Sequence, residues 1–90
     1  MSYYVYILQS KTTGKHYLGQ TADVGQRLRR HNTGESKSTK SGRPWIIVYT
    51  EEYPTRSEAI KRERYLKSPG GWKDLQNIKN KLNRNVAQPG

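Results

Sequence analysis

The chain has 90 residues, with no cysteine and no phenylalanine, and carries 17 Lys and Arg against 7 Asp and Glu, a formal net charge of +10. That length fits one domain with a small core. Lack of cysteine excludes a disulfide scaffold, a Cys–zinc or iron–sulfur site and a thiol nucleophile, and 2 histidines are too few for a three-His metal centre. The charge points to a polyanionic partner, nucleic acid before an anionic membrane surface. No apolar run is long enough for a membrane helix. The N-terminal MSYYVYILQSK has neither a basic start nor a small-residue cleavage site, so the expected location is cytoplasmic.

Residues 3–9, Tyr-Tyr-Val-Tyr-Ile-Leu-Gln, are rich in aromatic and β-branched types and apolar on both faces, which predicts a central strand. Lys11-Thr12-Thr13-Gly14 is a turn, and residues 15–20 return as a second strand to make a hairpin. Asp23 caps a helix running to about Asn32, with Val24, Leu28 and His31 on one face and Gly34 as its stop. Residues 33–43 hold no apolar side chain and read as a basic, hydroxyl-rich surface loop. Pro44 to Thr50 is a third strand, again apolar on both faces. Thr55 and Glu58 form a capping box for a second helix, with Ala59, Ile60, Glu63, Leu66 and Lys67 on one stripe. Ser68-Pro69-Gly70-Gly71 breaks it, and a third helix follows from about Trp72 to Leu82. The order β-β-α-β-α-α predicts an α+β domain with a three-stranded, mostly antiparallel sheet. One domain over residues 1–83 and a frayed tail at 84–90 are expected, with Trp45 and Trp72 both in the core.

The hairpin carries a definite geometric expectation. A four-residue turn sets Ser10 opposite Lys15, Leu8 opposite Tyr17 and Tyr6 opposite Gly19. Tyr6 and Tyr17 then emerge on one face as diagonal neighbours, beside a notch that Gly19 leaves open. One turn apart on the next helix, Arg27 and His31 meet on one side. Such an arginine can hold a phosphate through paired hydrogen bonds, or can belong to a solvated basic face with Arg29 and Arg30. Glu63 lies on an otherwise apolar stripe and needs a partner. Either Lys67 one turn on or a divalent cation satisfies it.

Taken together, Tyr4-Val5-Tyr6, Tyr17-Leu18-Gly19, Arg27 with His31 and Asn32, and then Glu63 resemble the GIY-YIG nuclease family. The resemblance runs from about Tyr3 to Trp72 and is nearest to small stand-alone bacterial members, judged by Arg43-Pro44-Trp45 and the Lys61-Arg62-Glu63-Arg64 stretch. Tyr4 and Val5 stand where the family name has glycine and isoleucine, and Gln20 stands where some members carry lysine.

What the resemblance implies is a metal-dependent endonuclease cutting phosphodiester bonds, in DNA more than RNA and in repair or processing. Its catalytic residues would be Tyr6, Tyr17, Arg27, His31 and Glu63, with Glu63 the ligand of a single Mg²⁺ (or Mn²⁺). Arg27 would stabilise charge on the phosphoryl oxygens, and Tyr17 would deprotonate or orient the attacking water, with Tyr6 or His31 sharing that role. Expected nucleic-acid contacts are Gly19, Arg30, Lys37, Lys40, Arg43, Lys61, Arg64 and Lys67. The alternative is a nucleic-acid-binding module of the same fold without turnover. No zinc finger or helix-turn-helix accompanies the domain, so structure preference or a targeting protein partner, rather than sequence reading, is expected.

Overall fold

The computed structural model describes residues 1–35, 37 and 39–86, with side chains to Leu82. It contains strands β1 (Tyr3–Ser10), β2 (His16–Thr21) and β3 (Trp45–Tyr53) and helices α1 (Val24–Thr33), α2 (Arg56–Lys67) and α3 (Trp72–Val86). Single turns of 3-10 helix occupy Lys40–Gly42 and Pro69–Gly71. The sheet order is β2-β1-β3, with both pairs antiparallel. This is the expected α+β order, and β1 is the central strand. The alternation of β1 explains why: Tyr6 and Leu8 pack with Trp45, Tyr17, Val24 and Leu28 on one face. Val5 packs with Ala59 and Leu66, and with Leu18, Leu75 and Ile78, on the other. A strand buried on both faces must be apolar on both. No helix among the described residues is long and apolar enough to cross a membrane.

The hairpin has the expected register, with Tyr6 opposite Gly19 and Leu8 opposite Tyr17. Ser10 holds its turn: Oγ accepts from the amides of Thr12 (3.1 Å) and Thr13 (2.9 Å) and donates to the Gly42 carbonyl (2.6 Å). Asp23 caps α1 by accepting from Gln26 N at 3.0 Å, and Gly34, at φ 85°, ends it in the left-handed conformation. Thr55 caps α2 by accepting from Glu58 N at 3.2 Å.

Three expectations need correction. β3 is not a two-faced apolar strand; Ile46 and Ile47 are exposed. It lies at the sheet edge, and a register shift opposite Ile7 and Leu8 interrupts its alternation. Trp72 is not in the core: it is 61% exposed, whereas Trp45 is 6% exposed. Helix periodicity places a residue on a face, but Trp72 is at the first turn of α3, before that helix settles against Val5 and Leu66. The third helix also runs on to Val86, past its expected end near Leu82, and residues 87–90 of the expected tail lie outside the described residues.

The described end of the 33–43 loop, from Thr39 to Gly42, is anchored to Trp45. Trp45 Nε1 donates to the Thr39 carbonyl at 2.7 Å, and the Trp45 ring lies against Gly42, where a Cβ would collide with it. Asn32 imitates a strand neighbour: its Oδ1 accepts from Trp45 N at 2.6 Å and its Nδ2 donates to Trp45 O at 3.1 Å. On the opposite side of the domain, Arg62 clamps α2 to β3 by donating from Nε and Nη2 to the Glu51 carboxylate at 2.9 and 3.1 Å. Tyr49 and Tyr53 also donate to Glu51. Burial alone would raise the Glu51 pKa, but these hydrogen bonds outweigh it and hold the carboxyl below its usual range.

Asn32→Ala leaves the amide and carbonyl of Trp45 without their partner. Each such loss costs on the order of 1–3 kcal/mol. At the low end, about 2 kcal/mol for the two groups together, melting temperature should fall by roughly 8–16 °C, read by circular dichroism.

Candidate active site

Tyr6 and Gly19 form the centre of the site. The Tyr6 ring lies across the glycine: a Cβ there would sit 2.6 Å from the phenol oxygen and 2.8 Å from Cζ. Only a residue without a side chain permits that approach. Tyr17, two residues before Gly19 on β2 and diagonal to Tyr6, is tilted against it with ring centroids 6.3 Å apart. His31 reaches the same spot from α1, its ring 4.7 Å from that of Tyr17. Its Nε2 stands 3.4 Å from the Tyr6 hydroxyl, and its Nδ1 stands 2.7 Å from Thr39 Oγ1.

These neighbours divide into a buried tier and an accessible one. Tyr6 is fully buried and His31 only 2% exposed. Burial, with the neighbouring Tyr17, pushes the Tyr6 pKa up to about 12, although Arg27 opposes the rise. His31 is pushed below 6.5, first by burial and then by the cationic Arg27 and Arg30. At neutral pH, therefore, Tyr6 is a protonated phenol and His31 a neutral imidazole. Both His31 nitrogens face protein groups. Tyr17, Arg27 and Glu63 keep part of their surface in solvent.

Glu63 approaches from α2. Its carboxylate accepts a 2.6 Å hydrogen bond from Lys67 Nζ and lies close enough to raise the Tyr6 pKa slightly. Its side chain is 19% exposed, against 51% for Lys67. The pair is thus one of the two partners foreseen for Glu63. Gln20 rises from the sheet face that α2 covers, opposite Val5, and its buried Oε1 lacks a hydrogen-bond partner.

The donor set decides which ion could be held. Among the described residues, no three His, Cys, Asp or Glu side chains converge. One carboxylate does not suit a transition-metal cage. It does suit Mg²⁺, which keeps several waters and takes one or two carboxylates plus phosphate oxygens. An exposed lysine can swing away from Glu63 at little cost.

The remaining expected contacts scatter around this centre. Gly19 is buried under Tyr6. Arg30, Lys37, Lys40, Lys61, Arg64 and Lys67 are exposed. Arg43 is exposed too, though its Nε donates to Lys40 O at 2.9 Å and its Nη1 packs on Gly34. Sequence reasoning missed Thr39, the partner of His31. One hydroxyl in a polar loop gives no signal, since only the folding of the loop onto Trp45 brings it there.

Two measurements test this geometry. Gly19→Ala should displace the Tyr6 ring and lower stability by about 1–3 kcal/mol, seen as a lower denaturant midpoint. His31 has a folded pKa below its unfolded value of 6.5. The unfolded chain then binds the proton first, so its contribution is present above pH 6.5 and is lost as pH falls through the lowered folded value. Denaturant midpoints measured against pH should decline over that window in the wild type and less so in His31→Gln. Tyr6, Tyr17, Arg27 and Arg30 surround the ring in both.

Residues 2–83 match the family model described as the GIY-YIG catalytic domain. The UPF0213 proteins of Staphylococcus aureus strains Mu50 and N315 are each 43% identical to this chain over 79 residues, covering 87% of it and 95% of their own length. The solution structure of the UPF0213 protein BH0048 from Bacillus halodurans is 35% identical, with a TM-score of 0.50 over 88% of this chain and 86% of that one. With the tyrosine pair, the strand order and the family match spanning the same segment, the chain belongs to the GIY-YIG nuclease family.

Proposed function

We propose that this protein is a divalent-metal-dependent endonuclease that hydrolyses phosphodiester bonds in DNA, in repair or processing, through one domain over residues 1–83. The observation that carries the reading is the convergence of Tyr17, His31 and Arg27 on the Tyr6 phenol, with Glu63 in electrostatic reach. Glu63 would hold a single Mg²⁺ (or Mn²⁺) once Lys67 moves aside. The ion, when bound, supplies Lewis-acid polarisation of the phosphate.

This chain's own residues do the rest. Arg27, part-exposed beside the Tyr6 hydroxyl, binds the phosphoryl oxygens where charge grows. Tyr17 is the accessible phenol and orients the attacking water. Tyr6, protonated at neutral pH, presents a hydroxyl donor instead of a base. His31 lies between Tyr6 and Thr39 and fixes that phenol's direction. The accessible cations Arg30, Lys37, Lys40, Arg43, Lys61, Arg64 and Lys67 would contact phosphates, giving affinity with little sequence preference. A targeting partner in the cytoplasm would then choose the site of action. The second reading, a binding module without turnover, draws on the Glu63–Lys67 pair, which neutralises the carboxylate a metal would need.

A nicking assay separates the two. Wild type, Glu63→Ala and Arg27→Ala are incubated with supercoiled, linear and branched DNA and with RNA, in Mg²⁺, Mn²⁺ or EDTA. Metal-dependent nicking that Glu63→Ala abolishes and Arg27→Ala slows by about 10²–10³-fold is the expected outcome. Nucleic-acid binding without any cleavage, at equal affinity in all three proteins, would leave the binding-module reading. Affinity should in either case fall by orders of magnitude as salt rises from low to moderate concentration.

A further inference from the structure

Outside the site, the most conspicuous unexplained feature is aromatic. Trp72 is 61% exposed and Tyr65 43% exposed. An indole left in water offers a large, rigid apolar surface that gains from being covered. The chain also holds this residue on a rigid support. Ser68 Oγ donates to the Tyr65 carbonyl at 2.6 Å and accepts from Gly71 N at 3.2 Å. Gly71 is packed so closely that a Cβ would collide with the Tyr65 carbonyl oxygen. Trp72 then enters α3 with ordinary helical dihedrals, φ −57° and ψ −40°. The turn from α2 to α3 is therefore closed by its own hydrogen bonds, and the indole at its end points outward. Tyr65 is held too, its hydroxyl donating to Asp74 at 3.1 Å and its ring lying 5.7 Å from the Arg62 guanidinium carbon.

The charge around this support selects the partner. Arg64, Lys67 and Lys73 are exposed on the two helices that meet at the turn, within a chain of net charge +10. Asp74, the nearby acid, is occupied by Tyr65. A preorganised aromatic face among cations suits a base that can stack while its phosphates meet lysine and arginine. A base paired inside a duplex cannot offer that face.

We propose that Trp72 is a stacking platform for an unpaired nucleobase, so that the enzyme engages nucleic acid with single-stranded character beside the phosphate it cuts. Arg64, Lys67 and Lys73 hold the adjacent phosphates. This rests on the nuclease reading for the position of the cut, and on the exposed indole alone for the stacking. Lys67, the hydrogen-bond partner of Glu63, sits at the end of α2, where the turn leading to Trp72 begins.

The test uses the full chain in EDTA, so that no cleavage occurs. Trp45 is buried, so emission changes report Trp72, and Trp72→Phe supplies the Trp45 background. The probes are a short oligothymidylate, its RNA counterpart and a blunt duplex. Quenching by the single strands well above that by the duplex is expected. By anisotropy of labelled oligonucleotide, Trp72→Ala should weaken single-strand binding by about 5- to 100-fold and Trp72→Phe by much less. Undiminished single-strand affinity in Trp72→Ala would overturn the stacking and leave the nuclease reading standing. No binding of any nucleic acid at low salt would overturn both. An emission change that follows protein concentration alone, with a sedimenting dimer, would assign the indole to a second copy of the chain and overturn the proposal.

Discussion

Between β1 and β2 the sheet leaves room for a single ring, and Tyr6 occupies it by lying flat across Gly19. Much of the molecule depends on that contact. It needs the register in which residue 6 faces residue 19, and the four-residue turn held by Ser10 sets that register. It also places the phenol where α1 can reach it, so His31 and Arg27 arrive one turn apart at the same oxygen. A side chain at position 19 would push the ring outward and scatter the groups that converge on it.

The electrostatics follow from the same burial. Tyr6 and His31 have lost solvent, and each is driven towards its neutral form, upward for the phenol and downward for the imidazole. Charge in the site is left to the part-exposed Arg27 and Glu63, the two groups a phosphodiester and a cation would meet first. A neutral inner layer thus lies beneath a charged outer one. The ion pair between Glu63 and Lys67 belongs to the outer layer, where solvent screening makes it easy to exchange.

Two polar clamps keep the layers in register without enlarging a core that is small by composition. Asn32 ties the end of α1 to the start of β3, and the Arg62–Glu51 pair ties α2 to the far end of the same strand. β3 is an edge strand with two exposed isoleucines, and at Trp45 the Asn32 side chain bonds the backbone as a neighbouring strand would. The two helices that carry Arg27, His31 and Glu63 are thus anchored to one strand.

Much of this was legible in the residues. Alternation in β1, the turn before β2, the caps at Asp23 and Thr55 and the stop at Gly34 all act within a few residues, and local rules describe such interactions well. The facing of Tyr6 and Gly19 follows from turn length and the two-residue period alone. The exposure of Ile46, Ile47 and Trp72 does not, because it depends on which strand is outermost and where α3 begins to pack. Nor does the pairing of Thr39 with His31 or of Arg62 with Glu51, since those partners lie far apart in the chain and have no spacing rule between them. Local residue patterns set the elements, the hairpin register and the residue types available for phosphate chemistry. Which of those residues are sealed from water and which remain open to it depends on the packing of segments distant in the chain, which no local pattern encodes.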